Sequence, residues 1–114
     1  MRSNEAVASL SALAHEGRLA VFRTLVQAGP DGLAAGSVSR AVGIAPNTLS
    51  ASLAVLQHAG LVRSRRQGRS IIYSAEFAHM GDLLSFLVED CCGGRPEICA
   101  PVTGAVGSRC LIPA

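Results

Sequence analysis

The chain has 114 residues, 49% of them hydrophobic, and a formal net charge of +2. This length suits one domain with a modest core, which a second subunit would help to complete. No stretch approaches the roughly 18 consecutive apolar residues that a membrane-spanning helix requires, and no cationic segment with a long apolar run opens the chain. We therefore expect a cytoplasmic protein that makes no contact with membranes.

Apolar residues recur at helical spacing in the first quarter of the chain and predict two helices. The first set is Val7, Leu10, Leu13 and Ala14, and the second, after Gly17, is Leu19, Phe22, Leu25 and Val26. Four successive turn-forming residues at positions 29–32, Gly-Pro-Asp-Gly, end this pattern.

Two further helices are predicted on either side of Gly43, at about residues 34–42 and 46–59. Pro46 suits a first helical position because its missing N–H is not needed there. In the longer helix Leu49, Leu53 and Leu56 share one face, which predicts burial. We expect the small and mostly polar side chains around them to be exposed: Asn47, Thr48, Ser50, Ala51 and Ser52.

After Gly60, a predicted helix stop, two β-compatible runs at residues 61–66 and 70–74 flank a Gln-Gly-Arg turn and predict a hairpin. A last helix begins at about Phe77 and carries an apolar stripe that ends at Cys91. Glycines and prolines beyond Gly93 predict irregular structure. The chain is thus divided into a folded domain, residues 1–92, and a tail, residues 93–114.

The order helix, turn, helix and arginine-rich hairpin predicts a winged helix-turn-helix, a mainly α fold with one β-hairpin. Small polar side chains on the second helix could approach base edges in the major groove of double-stranded DNA. Arginines on the hairpin could reach phosphates or the minor groove. The predicted DNA contacts are Asn47, Thr48, Ser50, Ala51, Ser52, Arg65, Arg66 and Arg69.

At this point the chain resembles the ArsR/SmtB family of metal-sensing repressors. The resemblance covers about residues 5–92 and is carried by Asn-Thr-Leu-Ser-Ala-Ser-Leu at 47–53, Ala-Gly-Leu-Val at 59–62, Arg-Gln-Gly-Arg at 66–69 and Tyr73. It implies a homodimer, built by the first and last helices, that binds operator DNA and releases it when an inducer binds.

Two departures from the family pattern stand out. Family members often carry histidine where this chain has Ser52, which puts base reading at that position in doubt. The familiar arsenic and lead sensors also carry a Cys-x-Cys motif in or beside the helix that is predicted here at 46–59, or the helix before it. This chain has no cysteine before Cys91. Its inducer site is therefore expected elsewhere in the chain, or the sensing of an inducer has been lost.

Three cysteines at the end of the last helix form the candidate inducer site: Cys91, Cys92 and Cys99. Adjacent helical side chains point about 100° apart, so both sulfurs can face one ion only if the backbone unwinds, which Gly93 and Gly94 favour. Trivalent arsenic takes three ligands in a pyramid, whereas zinc normally takes four. We predict As(III) as inducer, with Sb(III) as a second candidate, no organic cofactor, and no fixed position for Cys110.

Other functions remain open at the cysteines. With two sulfurs alone, the ligand would be a monomethylated or aromatic trivalent arsenical. Cys92 and Cys99 could instead form a redox switch, and His79 with Asp82 would be half of a zinc site. No phosphate-cradling glycine motif or nucleophile constellation is present, so we do not expect an enzyme.

Overall fold

The computed structural model describes residues 1–88 and Pro101, and it is mostly helical with a small antiparallel sheet. In chain order the elements are α1 (Ser3–Leu13), α2 (Glu16–Ala28), β1 (Leu33–Ala34), α3 (Ala35–Val42), α4 (Pro46–His58), β2 (Val62–Gln67), β3 (Ser70–Ala75) and α5 (Phe77–Val88). The predicted winged helix-turn-helix is confirmed. The predicted boundary at residue 92 lies outside the described residues.

Two compact units make up the chain, Met1–Leu83 and Leu84–Ala114. The first contains β1 to β3, α1 to α4 and the start of α5. Within the described residues, no helix is both long and apolar enough to cross a membrane.

Local interactions explain where the first helices begin and end. His15 caps α2, because its Nδ1 accepts hydrogen bonds from Gly17 N at 3.1 Å and Arg18 N at 3.3 Å. This cap separates α1 from α2 at a sharp turn. Gly43 ends α3 in the left-handed conformation, with φ 79°, which glycine adopts without steric cost.

The sheet has the order β1-β3-β2, and both pairings are antiparallel. In the hairpin Gln67 pairs with Ser70, so the turn consists of Gly68, whose φ is +63°, and Arg69. Strand β1 was not predicted: Leu33 and Ala34 pair with Tyr73 and Ile72, where the sequence indicated only the start of a helix at about Ala34. Two residues are too few for a β periodicity, and only the distant partner strand defines them.

The core lies where α2, α4 and the base of the hairpin meet. The predicted leucine stripe of α4 is buried, as are Phe22 and Leu25 among the four apolar residues that predicted α2. The fully or almost fully buried core side chains include Val21, Phe22, Leu25, Val38, Leu49, Leu53, Leu56, Leu61 and Val62. This packing holds α4 with its opposite face toward solvent.

Helices α1 and α5 each carry large apolar side chains that are exposed. On α1 the buried residues are Ala6, Ser9 and Ala12, whereas Val7 is 64% exposed and Leu10 41% exposed. On α5 Leu84 and Leu87 are exposed. The apolar residues that predicted these helices therefore do not all belong to the core.

Candidate nucleic-acid interface

A three-residue turn joins α3 to α4 and sets the direction of the second helix. Gly43 N and Ile44 N both donate to Ser39 O, at 2.8 and 3.2 Å, and the Ser39 hydroxyl donates to the carbonyl of Ile44. Pro46 occupies the first turn of α4, as predicted. Together α3, this turn and α4 form the helix-turn-helix.

The exposed face of α4 is formed by small side chains. Four of the five predicted contact residues on this helix are exposed: Asn47, Thr48, Ser50 and Ala51. The predicted exposure of Ser52 is wrong, since its side chain is only 6% exposed. Ser52 lies three residues after Leu49 and four before Leu56, so the helical repeat turns it toward the core. We therefore remove Ser52 from the set of base-reading residues.

The hairpin formed by β2 and β3 is the wing of the fold, and its four arginines fall into two pairs. Arg63 Nη1 lies 3.9 Å from Glu76 Oε2, and Arg65 Nη2 donates to the carbonyl of Asp31 at 2.7 Å. Arg66 and Arg69 are exposed near the hairpin turn and make no side-chain hydrogen bond or ion pair within residues 1–88. The second pair thus retains its full set of N–H donors for an external anion.

Two tertiary contacts that hold the wing were not predicted from the sequence. Gln57 Nε2 on α4 donates to Ser64 Oγ on β2 at 3.0 Å, and Arg65 attaches the same strand to the turn before β1. Neither contact has a periodic sequence signal, because each joins side chains or carbonyls of different elements: Arg65 and Asp31 lie 34 positions apart, and Gln57 and Ser64 lie on successive elements. Together they orient the wing beside α4.

The predicted inducer residues Cys91, Cys92 and Cys99 lie outside the described residues, as does Cys110. Among the residues that are described, no group of three or more His, Cys, Asp or Glu side chains could hold a metal ion. His79, one half of the zinc pair considered above, shares a hydrogen bond of 2.8 Å between its Nε2 and Ser9 Oγ.

Known proteins share this architecture. A family model described as a helix-turn-helix domain matches residues 13–65. The chain is 33% identical over 96 residues to the biofilm growth-associated repressor of Xylella fastidiosa (strain 9a5c). The matched region covers 84% of this chain and 82% of that protein.

Two solved structures are similar as well. An ArsR-like transcriptional regulator from Rhodococcus sp. RHA1 matches with a TM-score of 0.68 at 24% identity, over 90% of this chain and 92% of that chain. The second is a homodimeric winged helix-turn-helix DNA-binding domain from Mycobacterium bovis, described as a possible ArsR-family transcriptional regulator. It matches with a TM-score of 0.60 at 25% identity, over 81% of this chain and 85% of that chain. The chain therefore belongs to the ArsR/SmtB family of winged helix-turn-helix transcriptional regulators.

Proposed function

We propose that this protein is a homodimeric repressor that leaves its operator when trivalent arsenic binds Cys91, Cys92 and Cys99. The observation that carries the DNA-binding part is the small, exposed face of α4 beside two uncommitted wing arginines. Three cysteines that follow α5 in the sequence, at positions 91, 92 and 99, support the arsenic part.

In this proposal α4 enters the major groove of the operator. Asn47, Thr48 and Ser50 donate and accept hydrogen bonds at base edges, and Ala51 can pack against a thymine methyl group. Arg66 and Arg69 neutralise phosphates or enter the adjacent minor groove. Arg65 is held on Asp31 by one N–H, and its remaining N–H groups are available to a phosphate.

A homodimer would place two α4 helices on successive half-sites of the DNA. The Mycobacterium bovis relative is a homodimer, which supports the same assembly here. The uncovered apolar residues on α1 and α5 supply surface for it: Val7, Leu10, Leu84 and Leu87. Burial of these side chains against a second copy would remove them from water.

Arsenic would act through differential affinity for two dimer geometries. Arsenious acid exchanges three hydroxyls for three thiols and releases water, so a neutral product forms beside Glu89 and Asp90. Zinc would have to displace thiol protons at the same helix end, where the negative end of the helix dipole disfavours thiolates. A coupling of about 1–3 kcal/mol between inducer and DNA is typical of such regulators.

The test uses the reduced full-length protein and a DNA duplex that it selects from random sequences. Cys91→Ser, Cys92→Ser and Cys99→Ser should bind this duplex with wild-type affinity and remain bound in arsenite. Cys110→Ser is the matched control and should be released like the wild type. X-ray absorption on the arsenic-loaded protein should show three sulfur neighbours.

Each part of the proposal can fail separately. A fully responsive Cys99→Ser protein would exclude the three-sulfur site, and release by phenylarsine oxide alone would favour an organic arsenical. Loss of response in Cys110→Ser would make this tail cysteine a ligand. Release by zinc at the same concentration would contradict selectivity for arsenic. A wild-type protein that selects no duplex would contradict DNA binding itself.

A further inference from the structure

An open cavity of about 590 Å³ lies within the unit Met1–Leu83, and none of the predicted DNA-contacting residues lines it. It is bordered by α1, by the start of α2, by the end of α4 and by His79 at the beginning of α5. Its volume falls within the range of about 300–1,000 Å³ that small-molecule sites occupy. The DNA-binding proposal makes no use of this cavity.

Arg18 lines one end of the cavity, and hydrogen bonds fix the orientation of its guanidinium group. Its Nε donates to Ala12 O at 2.6 Å and its Nη2 donates to Ser11 O at 3.3 Å, so two carbonyls at the end of α1 fix its orientation. An arginine carries five N–H donors, and three of them make no hydrogen bond within the described residues. A guanidinium held in this way can bind a carboxylate through two parallel hydrogen bonds with little loss of side-chain entropy.

The charge along the cavity is asymmetric. Glu5 is the one carboxylate among the described residues that line the cavity. It lies seven residues before Ala12 on α1, which corresponds to about 10 Å along the helix. Its Oε1 accepts a hydrogen bond of 2.8 Å from the backbone N–H of Arg2, which holds the carboxylate near the start of the helix. An anionic group is therefore favoured at the Arg18 end and disfavoured at the Glu5 end.

The wall between these ends is small and apolar. Ala8 and Ala12 line the cavity on α1, and Val55 and Ala59 line it on the opposite side. His58 adds an imidazole at the end of α4. Such a wall accepts an apolar body of modest width beside the charged group.

We propose that this cavity binds a small organic carboxylate, with its carboxyl group on Arg18 and its apolar body against Ala8, Ala12 and Val55. The ligand carries no negative charge at its far end, where Glu5 lies. Ala59 and Gly60, which follow α4 directly, also line the cavity. An effect of the ligand on DNA binding rests on the proposed function, whereas binding of the carboxylate does not.

The experiment titrates phenylacetate, and its neutral isostere phenylacetamide, into the ¹⁵N-labelled full-length protein. Phenylacetate should shift the backbone amide signals of Ala8, Ala12 and Gly60 with a dissociation constant on the order of millimolar, as its small size allows. Arg18→Gln should weaken this binding by roughly tenfold or more, because charge-assisted hydrogen bonds are lost. Arg23→Gln, which changes an exposed arginine of the same helix outside the cavity, should bind like the wild type.

A second variant keeps the test decisive if Arg18→Gln does not fold. Ala8 is exposed, so Ala8→Leu fills the cavity without displacing core side chains, and leucine retains high helix propensity. It should abolish the phenylacetate shifts. If phenylacetamide bound as tightly as phenylacetate, the assignment of a carboxylate ligand would be wrong. If phenylacetate bound both Arg18→Gln and Ala8→Leu as it binds the wild type, the location of the site would be wrong. A wild-type protein that shows no shifts with phenylacetate would also contradict the site.

Discussion

Gly60 illustrates how one residue can satisfy two constraints at the end of α4. Its φ is +84°, and a Cβ at this position would lie 3.2 Å from Cε1 of His79. Gly68 in the hairpin turn has a similar φ of +63°, but a Cβ there would meet nothing within 4 Å. The two glycines thus share the backbone requirement and differ in packing.

We predict that Gly60→Ala destabilises the protein more than Gly68→Ala does. Both variants force alanine into the left-handed region, at a cost of about 1–2 kcal/mol. Only Gly60→Ala also pushes against the His79 ring. Urea unfolding of the full chain would measure the difference, and equal losses would show that the ring moves aside freely.

A single hydrogen bond links Ser9 to His79 across 70 positions of sequence. Ser9 is fully buried, so His79→Ala should leave its hydroxyl unpaired at a cost of about 1–3 kcal/mol. Ser9→Ala should cost less, because the partly exposed imidazole can turn to water. In a double-mutant cycle, the double variant should lose less stability than the sum of the two single variants. Additive losses would contradict a coupling between α1 and α5 through this bond.

The hairpin carries two kinds of arginine: Arg63 and Arg65 contact other parts of the protein, whereas Arg66 and Arg69 are exposed near its turn. Arg66→Ala and Arg69→Ala should each weaken binding to duplex DNA of any sequence and reduce the slope of log affinity against log salt by about one. Arg63→Ala is the control in the same hairpin, since its guanidinium is paired with Glu76. Fluorescence anisotropy at several salt concentrations would measure these slopes. An unchanged slope in both Arg66→Ala and Arg69→Ala would remove the wing from the interface.

Elements with strong local signals were predictable from the sequence. Gly43 and Pro46 bound the turn of the helix-turn-helix, and the α4 helix ends within one residue of its predicted end. Features that depend on distant partners were not predictable, as β1 and the bond between Arg65 and Asp31 show. Ser52 was misplaced for another reason: its small polar side chain suggested exposure, although its spacing from Leu49 and Leu56 indicated the buried face.

At the scale of the whole molecule, the uncovered apolar residues of α1 should determine assembly. Leu10 on α1 is 41% exposed and Leu19 on α2 is 42% exposed, so the two leucines form a matched pair. Leu10→Glu should convert the proposed dimer to monomers, because a buried carboxylate would oppose the interface. Leu19→Glu should leave the dimer intact. Sedimentation velocity would measure both, and a dimeric Leu10→Glu protein would place the interface elsewhere.

The division of α4 into a buried face and an exposed face has a consequence for changing the target of this regulator. Asn47, Thr48 and Ser50 are exposed, whereas Leu49, Ser52, Leu53 and Leu56 hold the helix in place. Because exposed substitutions of this kind usually alter stability by less than about 0.5 kcal/mol, these three positions can be randomised together with the fold preserved. A library at Asn47, Thr48 and Ser50 is thus a compact starting point for selecting repressors of new operators.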